Sequence, residues 1–207
     1  MRRIGRMLCL LLFMLWQGGE SVAAEEEGTL EDLLRRAAAT PAVDTYSAVC
    51  RFCYADGTHP AVLSAYADSL RQLGVRTRSA RCFLEYYAWK SEACFQQADY
   101  QKGYALKRSA IALAERMGDR HWLAESASDM AYYFNIDAQY DSARHYLNKG
   151  LAAARGVPDL GETYRTMLTN YASSFLFEGQ TDSALVYTDR ARQASEAAAD
   201  TAMIIEH

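Results

Sequence analysis

Cys50 and Cys53, separated by two residues and followed by His59, are the side chains in this chain best spaced for chemistry. Paired thiols at that spacing exchange disulfides when they sit where a strand turns into a helix. Here Ala48-Val49-Cys50-Arg51-Phe52-Cys53-Tyr54 reads instead as the interior of a helix, where cysteine serves as a small, soft core residue. Zinc needs a fourth ligand at a familiar spacing, and Cys50, Cys53 and His59 lack one. With Cys82 and Cys94 the cysteines allow three fully paired connectivities, which spacing does not separate. A thiol or metal protein built on Cys50 and Cys53 stands as an alternative function.

The remaining reactive residue types do not converge. His59, His121, His145 and His207 each stand alone along the chain. Gly19-Glu20-Ser21-Val22-Ala23 loosely follows a nucleophile elbow but has no strand before it. There is no phosphate-cradling glycine loop, no His-Glu-x-x-His and no calcium loop. Arg76, Arg78 and Arg81 form one basic cluster, which reads as a solvated connection. The expectation is a protein with no catalytic residue, no metal and no cofactor.

At the N-terminus Arg2, Arg3 and Arg6 precede an apolar run from Met7 to Trp16, and Val22-Ala23-Ala24 leads into Glu25-Glu26-Glu27. This is the tripartite pattern of a secretory signal peptide over residues 1–24. The apolar run is about half of the roughly 20 residues that a spanning helix requires, so no transmembrane helix is expected in the mature chain. Loss of residues 1–24, with three arginines and one glutamate, takes the net charge from −4 to about −6. An acidic, exported chain is a poor partner for nucleic acid, and its place is the periplasm or cell envelope.

The elements that position all these residues are repeats. Ser91, Cys94, Tyr100 and Gly103 recur as Ala131, Phe134, Tyr140 and Ala143, and again as Ala172, Phe175, Thr181 and Ala184. The intervals of 40 and 41 residues mark stacked supersecondary units. In each, a small residue and a bulkier one three later share a helical face, a polar turn follows, and a second small residue lies on the returning helix. The result is an all-α fold of antiparallel helix pairs. Stepping back 41 residues from Gly103 gives Val62 and a first, degenerate unit with Cys50 and Cys53 as its first-helix contacts. The units expected are 43–82, 83–122, 123–163 and 164–200. Residues 25–42 read as a linker with a loosely docked helix capped by Thr29 and Asp32, and 201–207 as the start of a further helix.

These residues resemble the tetratricopeptide repeat family, above all the repeats of about 40 residues in bacterial sensory and regulatory arms; the likeness covers roughly 84–199. The family's first-helix Trp position is held by Tyr87, Ala127 and Leu168. The resemblance implies a right-handed α-solenoid of about four repeats whose first helices line a groove for a protein or an extended peptide. Carried over residue by residue, the groove positions are Arg51, Tyr54, Trp89, Glu92, Phe95, Gln96, Asp129, Tyr132, Asn135, Asn170, Ser173 and Phe177. Ser47 and Arg51 stand where carboxylate-clamp members carry Lys and Asn, which points away from a chaperone C-terminus as the partner.

The function expected is that of an exported interaction module, the sensory arm of a larger envelope regulator, in which case a membrane span and an output domain follow residue 207. A structural scaffold for envelope assembly, without a regulatory role, is the alternative. Leu185, Ala191 and the Met203-Ile204-Ile205 cluster are expected to leave an apolar C-terminal edge, either as a fragment of a longer solenoid or as a face covered by self-association with a second copy of the chain.

Overall fold

The computed structural model describes residues 28–205, with side chains through Ala198; the signal-peptide reading of 1–24 lies outside them. The helices are α1 (Leu30–Ala39), α2 (Val43–Asp56), α3 (Pro60–Thr77), α4 (Ala80–Gln96), α5 (Tyr100–Met117), α6 (Arg120–Ile136), α7 (Tyr140–Ala154), α8 (Gly161–Phe177) and α9 (Thr181–Ile205), with a short 3-10 turn at Pro158–Leu160. No strand occurs among the described residues. The fold is all-α, built of consecutive helix pairs in the manner of an α-solenoid.

Local signals set the helix starts. Thr29 and Asp32 form a reciprocal capping box at α1. The Ser79 hydroxyl accepts from Cys82 N at α4, the Asp119 carboxylate from Trp122 N at α6, and Pro60 opens α3 with its backbone angle already helical. Each unit therefore opens about three residues before the expected boundary at 83, 123 and 164.

The turn inside each pair carries one left-handed residue: Gly57, Ala98, Ala138 or Gly179. In the last three, the amide one residue on donates to a carbonyl five positions back: Asp99 to Cys94, Gln139 to Phe134 and Gln180 to Phe175. Tyr100, Tyr140 and Thr181 then start the second helix two positions after the left-handed residue, whereas Pro60 follows Gly57 by three. That extra residue corrects the register of the first unit. Leu63, fully buried, occupies the position of Gly103, Ala143 and Ala184; Val62, the position expected from a 41-residue step, is only half-buried. The first helices keep the 41-residue step, and Cys50 and Cys53 are buried as expected.

The described chain divides within α5, at Leu106, into two compact units. In the first, Leu33 and Ala37 of α1 join Val49, Cys50, Cys53, Leu63, Leu70 and Ala93 in one buried cluster. The α1 helix is thus firmly seated on α2, not loosely docked, because its one apolar stripe matches the exposed end of the first pair. In the same unit α2 packs on both α3 and α4. In the second unit α6 packs on α7 and α8, and α8 on α7 and α9. Close approach there depends on small residues: Ala127, Ala131, Ala143 and Ala154 are buried, and a Cβ on Gly150 would strike Met167 Sδ.

One boundary differs at the C-terminal end. α9 runs unbroken from Thr181 to Ile205, so the helix expected to start at 201 is its continuation. No Gly or Pro interrupts 181–205, and the alanines around Asp200 and Thr201 favour propagation over a new cap.

Candidate interaction surface

The first helices of each unit carry the residues assigned to the groove. In the first unit Tyr54 of α2 and Trp89 of α4 come together, ring centroids 6.1 Å apart and tilted by 58°, with the Trp89 indole donating to Glu85 Oε2 at 2.9 Å. Lys90 Nζ, one residue on, reaches back to Ser64 Oγ at 2.7 Å and Asp68 Oδ2 at 2.6 Å on α3, fixing α4 against the first pair. Arg51 and Gln96 are exposed. Glu92 and Phe95, by contrast, are buried and do not belong to an open groove. The Phe95 ring lies against the returning helix, 5.4 Å from the Tyr104 ring, and fills the space that Gly103 leaves; a Cβ there would sit 2.6 Å from Phe95 Cε1.

In the second unit Asn135 of α6 and Asn170 of α8 meet, Asn135 Nδ2 donating to the Asn170 carbonyl at 3.0 Å. Asn135, like Glu92 and Phe95, is buried and does not belong to an open groove, and its Oδ1 has no hydrogen-bond partner among the described residues. Tyr132 is half-buried and lies edge-on to Tyr133. The Ser173 hydroxyl donates within its own helix to the Thr169 carbonyl, and Phe177 stacks on Tyr140 with centroids 6.2 Å apart. Asp129 is half-exposed and receives Lys107 Nζ at 2.5 Å. Lys107 itself is 1% exposed, so its ammonium depends on that carboxylate for compensation.

Between α6 and α8 lies a cleft of about 310 Å³ lined by Glu125, Ser128 and Asp129 on one side and Glu162, Thr163 and Thr166 on the other. Of its lining residues only Asp129 was reached from the sequence. The others lie about one to three turns upstream of the repeated contact residues, where no periodic signature marks them. Helical spacing back from Tyr132 and Asn170 is the signal that reaches them. The cleft offers carboxylate and hydroxyl acceptors, chemistry suited to an ammonium or guanidinium group.

The thiols point away from redox or metal work. Cys50, Cys53, Cys82 and Cys94 are free and buried. Burial pushes the Cys50 thiol well above its ordinary range, with the neighbouring Cys53 adding to the effect, and burial raises Cys53 and Cys94 as well. Reactive thiols are shifted the other way. His59 Nδ1 lies 2.8 Å from Asp56 Oδ2, which the Thr58 hydroxyl also reaches. These two contacts, Thr58 first, hold the Asp56 carboxyl below its usual range. Among the described residues no group of three or more His, Cys, Asp and Glu is placed to hold a metal ion, and no helix is long and apolar enough to cross a membrane.

No protein-family model and no curated protein matches the chain. The likeness to tetratricopeptide repeats therefore rests on the chain's internal periodicity alone.

Proposed function

We propose that the chain is an exported interaction module of tetratricopeptide-repeat type that captures an extended peptide or protein segment on its first-helix faces, as a sensory arm of an envelope regulator. The observation that carries this reading is the α6–α8 cleft, which has room for a long side chain and three carboxylates on its walls, of which Asp129 already compensates Lys107. Tyr54 and Trp89 supply an aromatic patch on the equivalent face of the first unit. The segment that fits the cleft carries Lys or Arg. Export is supported by the pattern of residues 1–24.

Selection of displayed random peptides against the purified chain tests the proposal. The expected result is enrichment of sequences with a basic residue, whose binding weakens with salt and is lost on Thr166→Trp, which fills the cleft, or on Glu125→Lys with Glu162→Lys. Peptides that bind equally well to these variants, or no enrichment at all, would overturn it.

A further inference from the structure

The first-helix faces of the two units can be compared position by position, counted back from the left-handed residue of each turn. Asp44 stands as far before Gly57 as Glu125 stands before Ala138, and Arg81 as far before Ala98 as Glu162 before Gly179. In the first unit these two positions face each other from α2 and α4 and are bridged, Arg81 Nη2 donating to Asp44 Oδ1 at 2.7 Å. That pair is open to water and adds little to stability. Its value is geometric: in this register an acid on one first helix lies within reach of a guanidinium held beside the next. In the second unit the same two positions lie on opposite walls of the α6–α8 cleft, and both are acids. A carboxylate thus stands where the first unit carries its arginine.

The rest of the lining distinguishes one cation from another. Ser128, 7% exposed, turns to the cleft a hydroxyl that makes no hydrogen bond among the described residues. Thr163 and Thr166 add hydroxyls on the α8 wall. Asp129 is engaged by Lys107, so an incoming cation is received chiefly by Glu125 and Glu162, one on each wall. Acceptors on two walls with a buried hydroxyl beside them suit a planar group that donates from several edges at once. A guanidinium is such a fork, whereas an ammonium is a compact, strongly hydrated point charge that serves one wall at a time.

We propose that the α6–α8 cleft is a guanidinium site, taking an arginine side chain of the captured segment in preference to lysine, between Glu125 and Glu162 and against Ser128. This rests on the reading of the cleft as the place of peptide capture. Titration of the purified chain with the capped pentapeptide Ala-Ala-Arg-Ala-Ala and with its lysine and citrulline counterparts, followed through the amide resonances of the cleft residues, tests it. The arginine peptide should bind about tenfold more tightly than the lysine peptide, the equivalent of one further charge-assisted hydrogen bond. Citrulline, of the same shape without the charge, should not bind. Glu162→Arg gives the second unit the residue that the first carries at this position; it should abolish arginine-peptide binding and raise the thermal midpoint, with helical circular dichroism unchanged. Ser128→Ala should weaken the arginine peptide severalfold and the lysine peptide hardly at all. Equal affinities for arginine and lysine, both lost in Thr166→Trp, would overturn the guanidinium site and leave peptide capture in the cleft standing, as would a Ser128→Ala variant that weakens both peptides alike. No binding of any of the three peptides would overturn both.

Discussion

The helix pairs on either side of Leu106 use the same contact positions with different side chains. Before it, the first-helix contacts are Cys50, Cys53 and Cys94, and aromatic rings such as Tyr46, Tyr66, Tyr86 and Trp89 pack around the buried cluster. After it, the corresponding contacts are Ala131, Phe134, Ala172 and Phe175, among buried alanines and the two methionines Met130 and Met167. All four cysteines of the described residues belong to the first unit. Sulfur and alanine meet the same need for a small residue, but they respond differently to pH and to added volume. The first-helix faces diverge in parallel. Tyr54 and Trp89 fill the space between α2 and α4, whereas carboxylates and hydroxyls leave a cleft between α6 and α8.

The largest effect tests the register that relates the two units. Leu63→Ala removes a fully buried side chain at the position equivalent to Ala143 and should cost about 2–5 kcal/mol. Val62→Ala, at a half-buried neighbour, should cost much less. Denaturant titration of the two variants decides it; the reverse order would restore the uniform 41-residue step and undo the alignment of the first unit with the others.

Ala143→Leu probes the second unit, where close approach leaves no room for a larger side chain. Extra methylenes at this fully buried position should destabilise by roughly 1–3 kcal/mol. His145→Leu, exposed two residues away on the same helix, should shift the denaturation midpoint little. Equal midpoints would mean that α7 packs through a different face.

Much of this was legible in the sequence, and the failures share a cause. Periodicity revealed the helix pairs and the small contact residues because those positions are constrained in every copy. It missed Leu63 because Thr58 and His59, bonded to Asp56, lengthen one turn by a residue while leaving the pattern on either side intact. Phe95 was assigned to the groove because a first-helix aromatic faces its own returning helix and the next pair from nearly the same position; only the Gly103 contact separates the two. The cleft residues Glu125, Ser128, Glu162, Thr163 and Thr166 escaped because nothing requires them to recur.

Alkaline pH should act on the first unit through sulfur. The Cys50 pKa is raised by burial, so above about pH 9 the unfolded chain releases this proton while the folded chain keeps it, and stability falls as pH rises. The slope from one such thiol is about 1.4 kcal/mol per pH unit. Cys50→Ala should flatten the dependence, and the native thiols should alkylate slowly near neutral pH. Rapid alkylation of folded protein, or the same alkaline slope in Cys50→Ala, would contradict the buried-core role of this cysteine and return the Cys50/Cys53 pair to consideration as a reactive site.

The smallest effect asks whether the turns of the two units are equivalent despite their different cores. The turns inside the helix pairs of each unit hold one glycine and one alanine in the left-handed conformation: Gly57 and Ala98 before Leu106, Ala138 and Gly179 after it. An L-residue loses about 1–2 kcal/mol there relative to its normal helical state, and replacing alanine by glycine returns about 0.5–1 kcal/mol of that to unfolded-chain entropy. Ala98→Gly and Ala138→Gly should therefore each stabilise by up to about 1 kcal/mol. Gly57→Ala and Gly179→Ala should destabilise by a similar amount, and since a Cβ at either glycine meets nothing within 4 Å, that cost is purely backbone. Thermal melts of the four variants make the comparison. Opposite signs for Ala98→Gly and Ala138→Gly would show that the turns are held by their surroundings and not by the backbone conformation they share.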